Sequence, residues 1–194
     1  MSRSTRSEKL QPQSLYSASK IAADMLALSY HHSFELPVAV VRPFNTYGPR
    51  QSARAVIPAV LGQIYAGSSE IQVGATTPKR DFNFVTDTAK GFMAIAGCDR
   101  ALGEVVNIGS GREIAIGDLI DLMISVTGRE VRVVRAPERI RPAGSEVDRL
   151  MCDNSRALEW SGWRPEVSLE EGLRRTAEWI EQNLSSVEAR RYQV

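Results

Sequence analysis

Tyr16-Ser17-Ala18-Ser19-Lys20 sets a phenol and an ammonium four residues apart. In an α-helix that spacing leaves the two side chains about 40° apart around the axis, on one face. A Lys ammonium beside a Tyr favours the phenolate and lowers a pKa that is about 10 when unperturbed. The pair is therefore a candidate general base near neutral pH. The same spacing also fits a partly buried Tyr next to a solvated Lys, so the surrounding elements must decide between the two.

Ser14 is placed to cap a helix running to about Phe34, with Leu15, Ala18, Ala22, Met25, Leu26 and Tyr30 as its apolar stripe. Its first half is small-sided, through Ser17, Ala18, Ser19, Ala22 and Ala23, which permits close helix packing. After Pro37, Val38-Ala39-Val40-Val41 is a continuous β-branched run of the kind found in strands buried on both faces of a parallel sheet. It runs into the polar loop Arg42-Pro43-Phe44-Asn45-Thr46-Tyr47-Gly48-Pro49-Arg50, the end of a parallel strand at which open α/β sheets place their ligands.

A second helix is expected from about Ala55 to Ala66, with Pro58 in its first turn and Gly67 closing it. Ile71 and Val73 alternate as a strand, and Phe82 to Val85 forms another. Thr86-Asp87 reads as a cap for a helix to Ala96, with Ala89, Phe92, Met93 and Ala96 inward. Glu104 to Ile108 is a strand that ends on Gly109-Ser110-Gly111, read as a turn. Small αβ units follow: a helix over about 118–127, a strand over 131–134 and a short helix over 154–160. Ser168-Leu169-Glu170-Glu171 then opens a helix with Leu169, Leu173, Ala177, Ile180 and Leu184 on one stripe.

With 194 residues and 43% hydrophobic content, the chain can bury one sizeable core or slightly more. Lys+Arg 24 against Asp+Glu 23 gives no general pull toward nucleic acid or anionic lipid. Cys98 and Cys152 lack neighbours at metal or disulfide-framework spacing, and no run reaches membrane-spanning length. A cytoplasmic protein without membrane or nucleic-acid partners is the expectation. His31-His32 reads as a solvated helix end, and Trp160, Trp163 and Trp179 as packing residues.

The motifs recur in a telling order. Tyr-x-x-x-Lys, Arg42 to Pro49, Arg80-Asp81-Phe82-Asn83-Phe84-Val85-Thr86-Asp87, Val106-Asn107-Ile108-Gly109, Arg141-Pro142 and Gly162-Trp163-Arg164-Pro165 follow one another. The set resembles the extended short-chain dehydrogenase/reductase family of NAD-dependent nucleotide-sugar epimerases and 4,6-dehydratases, over roughly residues 11–184. The likeness is nearest to bacterial dehydratases acting on UDP-N-acetylglucosamine-type substrates, through Arg42–Pro58 and Arg80–Phe92.

The resemblance implies a Rossmann-like α/β fold and roles for named residues. Tyr16 would take the proton of the sugar 4-hydroxyl while C4 yields a hydride to NAD, and Lys20 would hold the nicotinamide ribose. Pro43 would lie beside the nicotinamide, and Asn45 would bond the substrate near its diphosphate, unless it caps the turn before Gly48. Arg80 and Arg141 would clamp the diphosphate, since a planar guanidinium meets phosphate oxygens bidentately, unless they pair with Asp81 and Glu146. Ala55, Val56 and Val73 would line the base and ribose pocket, and Asn107 would reach the same site. The Ser14–Phe34 helix matches the one through which the family commonly dimerises, intramolecular packing being the alternative.

The family's opening strand and Gly-x-x-Gly-x-x-Gly turn, which seat the cofactor pyrophosphate on a helix amino terminus, find no counterpart in these 194 residues. The expected architecture is therefore the carboxyl-terminal part of a Rossmann-like doubly wound parallel sheet plus a small α/β substrate-binding domain. In that division, residues 1–13 are a tail and 14–111 a partial dinucleotide-binding domain with a substrate-domain insertion at about 49–80. Residues 112–194 are mainly substrate-binding. The polypeptide is expected to bind NAD weakly and to be inactive alone. A 4-epimerase, or a non-catalytic nucleotide-sugar-binding or dimerising remnant, are the alternatives to the dehydratase.

Overall fold

The computed structural model describes residue 12 and residues 14–136 and 148–185. Helix α1 (Leu15–Phe34) starts where Ser14 and Ser17 exchange side-chain and backbone hydrogen bonds. It stops at Glu35, which adopts a left-handed conformation (φ 55°) and donates its N–H to His31 O. Strand β1 (Val40–Pro43) pairs in parallel with β6 (Val105–Ile108), Val40 opposite Val105 and Pro43 opposite Ile108. The ladder starts two residues later than the apolar run predicts. The Val38 carbonyl is taken by Gly103 N, and the first bond from the strand runs from Val40 N to Glu104 O.

Strand β2 (Asn45–Tyr47) pairs in parallel with β5 (Phe82–Phe84), and β3 (Glu70–Val73) in parallel with β8 (Arg132–Arg135). Strand β4 (Lys79–Arg80) lies between β7 (Ile114–Ala115), antiparallel to it, and β9 (Arg149–Leu150), parallel to it. The molecule is α/β with mainly parallel pairing, the pattern expected from its β-branched runs.

Two cores form. Helix α3 (Val85–Ala96) and α5 (Ser155–Ser161) cover the β1–β6 pair, burying Ile95, Val106, Ile108, Ala157 and Trp163. Helices α2 (Val56–Tyr65), α4 (Ile116–Thr127) and α6 (Leu169–Gln182) enclose the second core around Tyr47, Ile57, Leu61, Met123 and Leu173. The α6 stripe faces inward as its period predicts, with Leu173, Ala177 and Ile180 buried. Ser168 caps it by accepting from Glu171 N.

Helix α3 departs from expectation in phase. Phe92, Met93, Ala89 and Ala96 are exposed; Asp87, Thr88, Gly91 and Ile95 are buried instead. Gly91 presses against Ile108 and Trp163 so closely that a Cβ there would collide with Ile108. The small side of the helix takes the sheet, turning its large apolar side chains outward. Thr86-Asp87 is not the cap either: Val85 opens the helix after Phe84, and the Asp87 carboxylate accepts from Glu166 N and Val167 N.

None of the 20 residues of α1 is buried. Its link to β1 is a bond from Arg42 Nε to Asp24 Oδ2 at 2.7 Å. Among the described residues β1 pairs with β6 alone, so its other edge is open.

Candidate functional site

Asn45 at the start of β2 and the connections around it shape a cleft of about 390 Å³. Pairing of β2 with β5 sets Asn45 opposite Phe82, and Asn45 Nδ2 donates to Asp81 O at 2.8 Å. The Asn45 amide thus spans the two strands and does not cap the turn before Gly48. That turn is closed by Gln51, whose Nε2 donates to Thr46 O and whose N–H reaches Gly48 O. Gly48 adopts φ 147° and lies against Val85 and Phe84, a conformation and an approach that a side chain would prevent.

Across the cleft from this loop stands α2. Pro58 occupies its third position, where its missing N–H costs nothing, and no side chain caps Ala55. The Val56 and Ile57 amides of the first turn lie at the positive end of the helix, on residues that line the cleft. Strand β3 supplies Gln72 and Val73, the following loop Gly74 and Ala75, and β4 supplies Arg80. Five sequence-predicted substrate residues, Asn45, Ala55, Val56, Val73 and Arg80, therefore converge on one cavity.

Asn107 does not line it; it sits in β6 opposite Arg42. Arg141 lies outside the described residues. Tyr16, Lys20 and Pro43 are also outside the lining. Tyr16 is 71% exposed near the start of α1, with Lys20 Nζ 5.5 Å from its ring centre, so the two share a face as the four-residue spacing requires. Pro43 is the exposed last residue of β1.

The carboxylate of Asp81, fully buried, was missed by sequence reasoning. Its Oδ1 accepts from Ser110 N (2.9 Å) and Ser110 Oγ (2.6 Å), and its Oδ2 from Gly111 N (2.9 Å) and Cys152 N (3.0 Å). Asp81 does not pair with Arg80; it locks the junction between β4, which carries Arg80, and β5, which carries Phe82, to the loop after β6. The Gly109-Ser110-Gly111 segment is thereby confirmed as a turn, because an internal carboxylate takes the amides that a phosphate would need. Cys152, pressed against Gly109, has its thiol pushed far above the usual range, first by burial and then by the Asp81 charge. A polar chain runs from Asn83 Nδ2 to Thr88 Oγ1, on to Thr46 Oγ1 and to Phe44 O. The local signal for Asp81 was the Arg-Asp-Phe run itself, but its partners lie far along the chain.

The chain matches the family described as GDP-mannose 4,6 dehydratase over residues 2–176. It is 32% identical over 180 residues to a UDP-glucuronate 4-epimerase of Thermodesulfobacterium geofontis, covering 92% of this chain and 54% of that protein. It is 33% identical over 181 residues to a dTDP-glucose 4,6-dehydratase of Streptomyces griseus, covering 93% and 54%. Among solved structures, a dTDP-glucose 4,6-dehydratase of Bacillus anthracis in complex with NAD superposes with a TM-score of 0.86 at 27% identity, over 98% of this chain and 60% of that one. A UDP-glucuronic acid 4-epimerase of Bacillus cereus, in complex with UDP-glucuronic acid and NAD, gives 0.85 at 26% identity, over 94% and 57%. The chain spans about half the length of the curated relatives it matches. Parallel pairing, a cleft at the strand ends and this match over most of the sequence lead to one assignment: the chain belongs to the GDP-mannose 4,6 dehydratase family, Rossmann-like short-chain dehydrogenase/reductases that act as nucleotide-sugar dehydratases and epimerases.

Proposed function

We propose that this chain carries the nucleotide-sugar cleft and the Tyr/Lys base of an NAD-dependent nucleotide-sugar 4,6-dehydratase. The observation that carries the reading is the convergence of Asn45, Ala55, Val56, Val73 and Arg80 on one cavity, with the first turn of α2 among its lining. An arginine and helix amino-terminal N–H groups suit a diphosphate, and the apolar wall of Ala55, Val56 and Val73 suits a nucleoside. A UDP-sugar is the substrate we assign, with Arg141 as the second arginine.

Tyr16, on the same face of α1 as Lys20, removes the proton of the 4-hydroxyl. Lys20 would also hold the nicotinamide ribose, and Pro43 would lie beside the ring. A bound NAD would supply the hydride acceptor for C4. The resulting 4-ketone acidifies C5–H, so water is lost across C5–C6. The exposed Tyr16–Lys20 pair fits the nicotinamide end of that cofactor. The described glycine turn does not fit its pyrophosphate, because Asp81 already occupies the Ser110 and Gly111 amides. The 194-residue polypeptide on its own therefore binds UDP-sugar, holds NAD weakly and does not turn over. The partial dinucleotide domain is assigned to residues 14–111, with its insertion at about 49–80, and the substrate domain mainly to 112–194. The exposed small face of α1 supports a homodimer through that helix, and two free cysteines suit a cytoplasmic setting.

A 4-epimerase is the second reading, favoured by the 32% identity to a UDP-glucuronate 4-epimerase. Calorimetric titration with UDP-N-acetylglucosamine, with and without NAD, tests the proposal. Binding of the sugar nucleotide without NAD is expected, with no product formed. A folded chain that ignores UDP-sugars would refute the cleft assignment, and a cofactor absorbance in the purified protein would refute the weak NAD binding.

A further inference from the structure

Gln63 lies in the last two turns of α2, and its side-chain amide is engaged with the backbone of β3. Its Oε1 accepts from Gln72 N at 2.8 Å, and its Nε2 donates to Gln72 O at 3.2 Å and to Ala59 O at 3.0 Å. The carbonyls of Ser69 and Val73 receive Arg132 N and Ala136 N, both at 2.9 Å, so those residues face β8. By strand alternation, the N–H and C=O of Gln72 point to the other edge. Among the described residues no strand covers that edge. The Gln63 amide, with one donor and one acceptor side by side, takes the place of the missing strand at Gln72.

This clip joins the two walls of the cleft. Gln63, Ala59 and Val56 lie on one face of α2, at i, i−4 and i−7, and all three line the cavity. Gln72, Val73 and Gly74 line it from the β3 side. Seven residues of helix separate Val56 from Gln63, about 10 Å at 1.5 Å per residue. A ligand whose diphosphate meets the first turn of α2 and Arg80 therefore extends its nucleoside along α2 toward the clipped strand. Two hydrogen bonds of a single side chain tie the walls together at that end, while the third, to Ala59 O, anchors that side chain on α2.

We infer that Gln63 is a positioning residue for nucleoside recognition, holding β3 at the spacing that grips the base and ribose while leaving the diphosphate subsite alone. The inference rests on the nucleotide-sugar reading of the cleft and goes beyond it by separating the two ends of the ligand energetically.

The test compares UDP and inorganic pyrophosphate binding to the full chain by calorimetry, with thermal melting as a check on folding. Gln63→Met keeps the length and loses the amide; it is expected to weaken UDP by about tenfold, the worth of one to two neutral hydrogen bonds, with pyrophosphate unchanged. Gln63→Glu keeps the acceptor and, while ionised, loses the donor and opposes the Ala59 and Gln72 carbonyls. Its UDP affinity is expected to be low at pH 8 and to recover toward pH 5, where the protonated carboxyl donates again. A lower melting temperature with an unchanged ratio of UDP to pyrophosphate affinity in either variant would mean that Gln63 only supports the fold, and overturns the inference. Wild-type protein that binds UDP no better than pyrophosphate overturns it as well. Wild-type protein that binds neither overturns the nucleotide-sugar reading together with the inference.

Discussion

At the scale of single residues, Arg54 and Arg80 line the cleft and the buried Asp81 holds its frame. Arg80 lines the cavity, and a charge-assisted bond to a phosphate contributes roughly 1.5–3 kcal/mol. Arg80→Ala is expected to weaken UDP and pyrophosphate alike, by about tenfold to a hundredfold in titration. Asp81 works through the frame. Two N–H donors with the Ser110 hydroxyl, and a third N–H from Cys152, converge on it, an arrangement that an acceptor-only carboxylate satisfies. Asp81→Asn turns one acceptor into a donor facing donors, and is expected to cost about 1–3 kcal/mol in urea denaturation. A variant as stable as wild type would show that the loop after β6 is held by other contacts.

At the scale of elements, α6 docks on β2 and β5 through Tyr47. Tyr47 Oη donates to Leu169 O at 3.1 Å, and its ring meets Phe82 and Phe84 edge-on. Burial first, and then the Asp87 charge, raise the Tyr47 hydroxyl above the ordinary phenol range. A raised value means that the folded state holds this proton more tightly than the unfolded chain. Its stabilisation is whole below about pH 10 and is lost as pH climbs toward the folded value. Wild-type protein is therefore expected to lose stability above pH 10 more steeply than Tyr47→Phe, followed by denaturant midpoints from pH 8 to 11. At pH 7 that variant costs about 1 kcal/mol for the lost bond. Gly172 of α6 lets the phenol approach, since a Cβ there would strike Tyr47 Oη and the Phe84 ring. Gly172→Ala gains about 1 kcal/mol of helix propensity but overpacks a rigid contact, so a net loss of stability is expected on thermal melting.

At the scale of the molecule, α3 and α5 close one core over the β1–β6 pair, whereas α1 shows Leu15 at 93% exposure and the outer face of α3 shows Met93 at 76%. Apolar side chains in that number, beside an open strand edge, promote association. Sedimentation is expected to show concentration-dependent association of the 194-residue chain, reduced in the double variant Leu26→Lys with Met93→Lys. A monomer at every concentration would mean that these faces stay solvated as they are.

Much of this was legible in the order of the residues. Helix and strand identities follow from local periodicity, as in the α6 stripe and the β-branched run of β1, because each depends on neighbours within a turn or two. The motifs that gather at the cleft were legible for the same reason, each being a short run with its chemistry in its side chains. The phase of α3 was not: both of its faces carry apolar residues, and the choice fell to Gly91 because only a bare backbone fits against Ile108 and Trp163. Nor were the anchors, since Asp81 reaches Cys152 across 71 positions and Asp87 reaches Val167 across 80. By itself the sequence determined the helices and the longer strands, but it read Asn45 to Tyr47 as loop where pairing with β5 makes a strand. The tertiary structure alone decided how the cleft side chains are held, because a buried carboxylate or amide takes whichever donors the folded chain brings to it, and local patterns do not encode partners that distant.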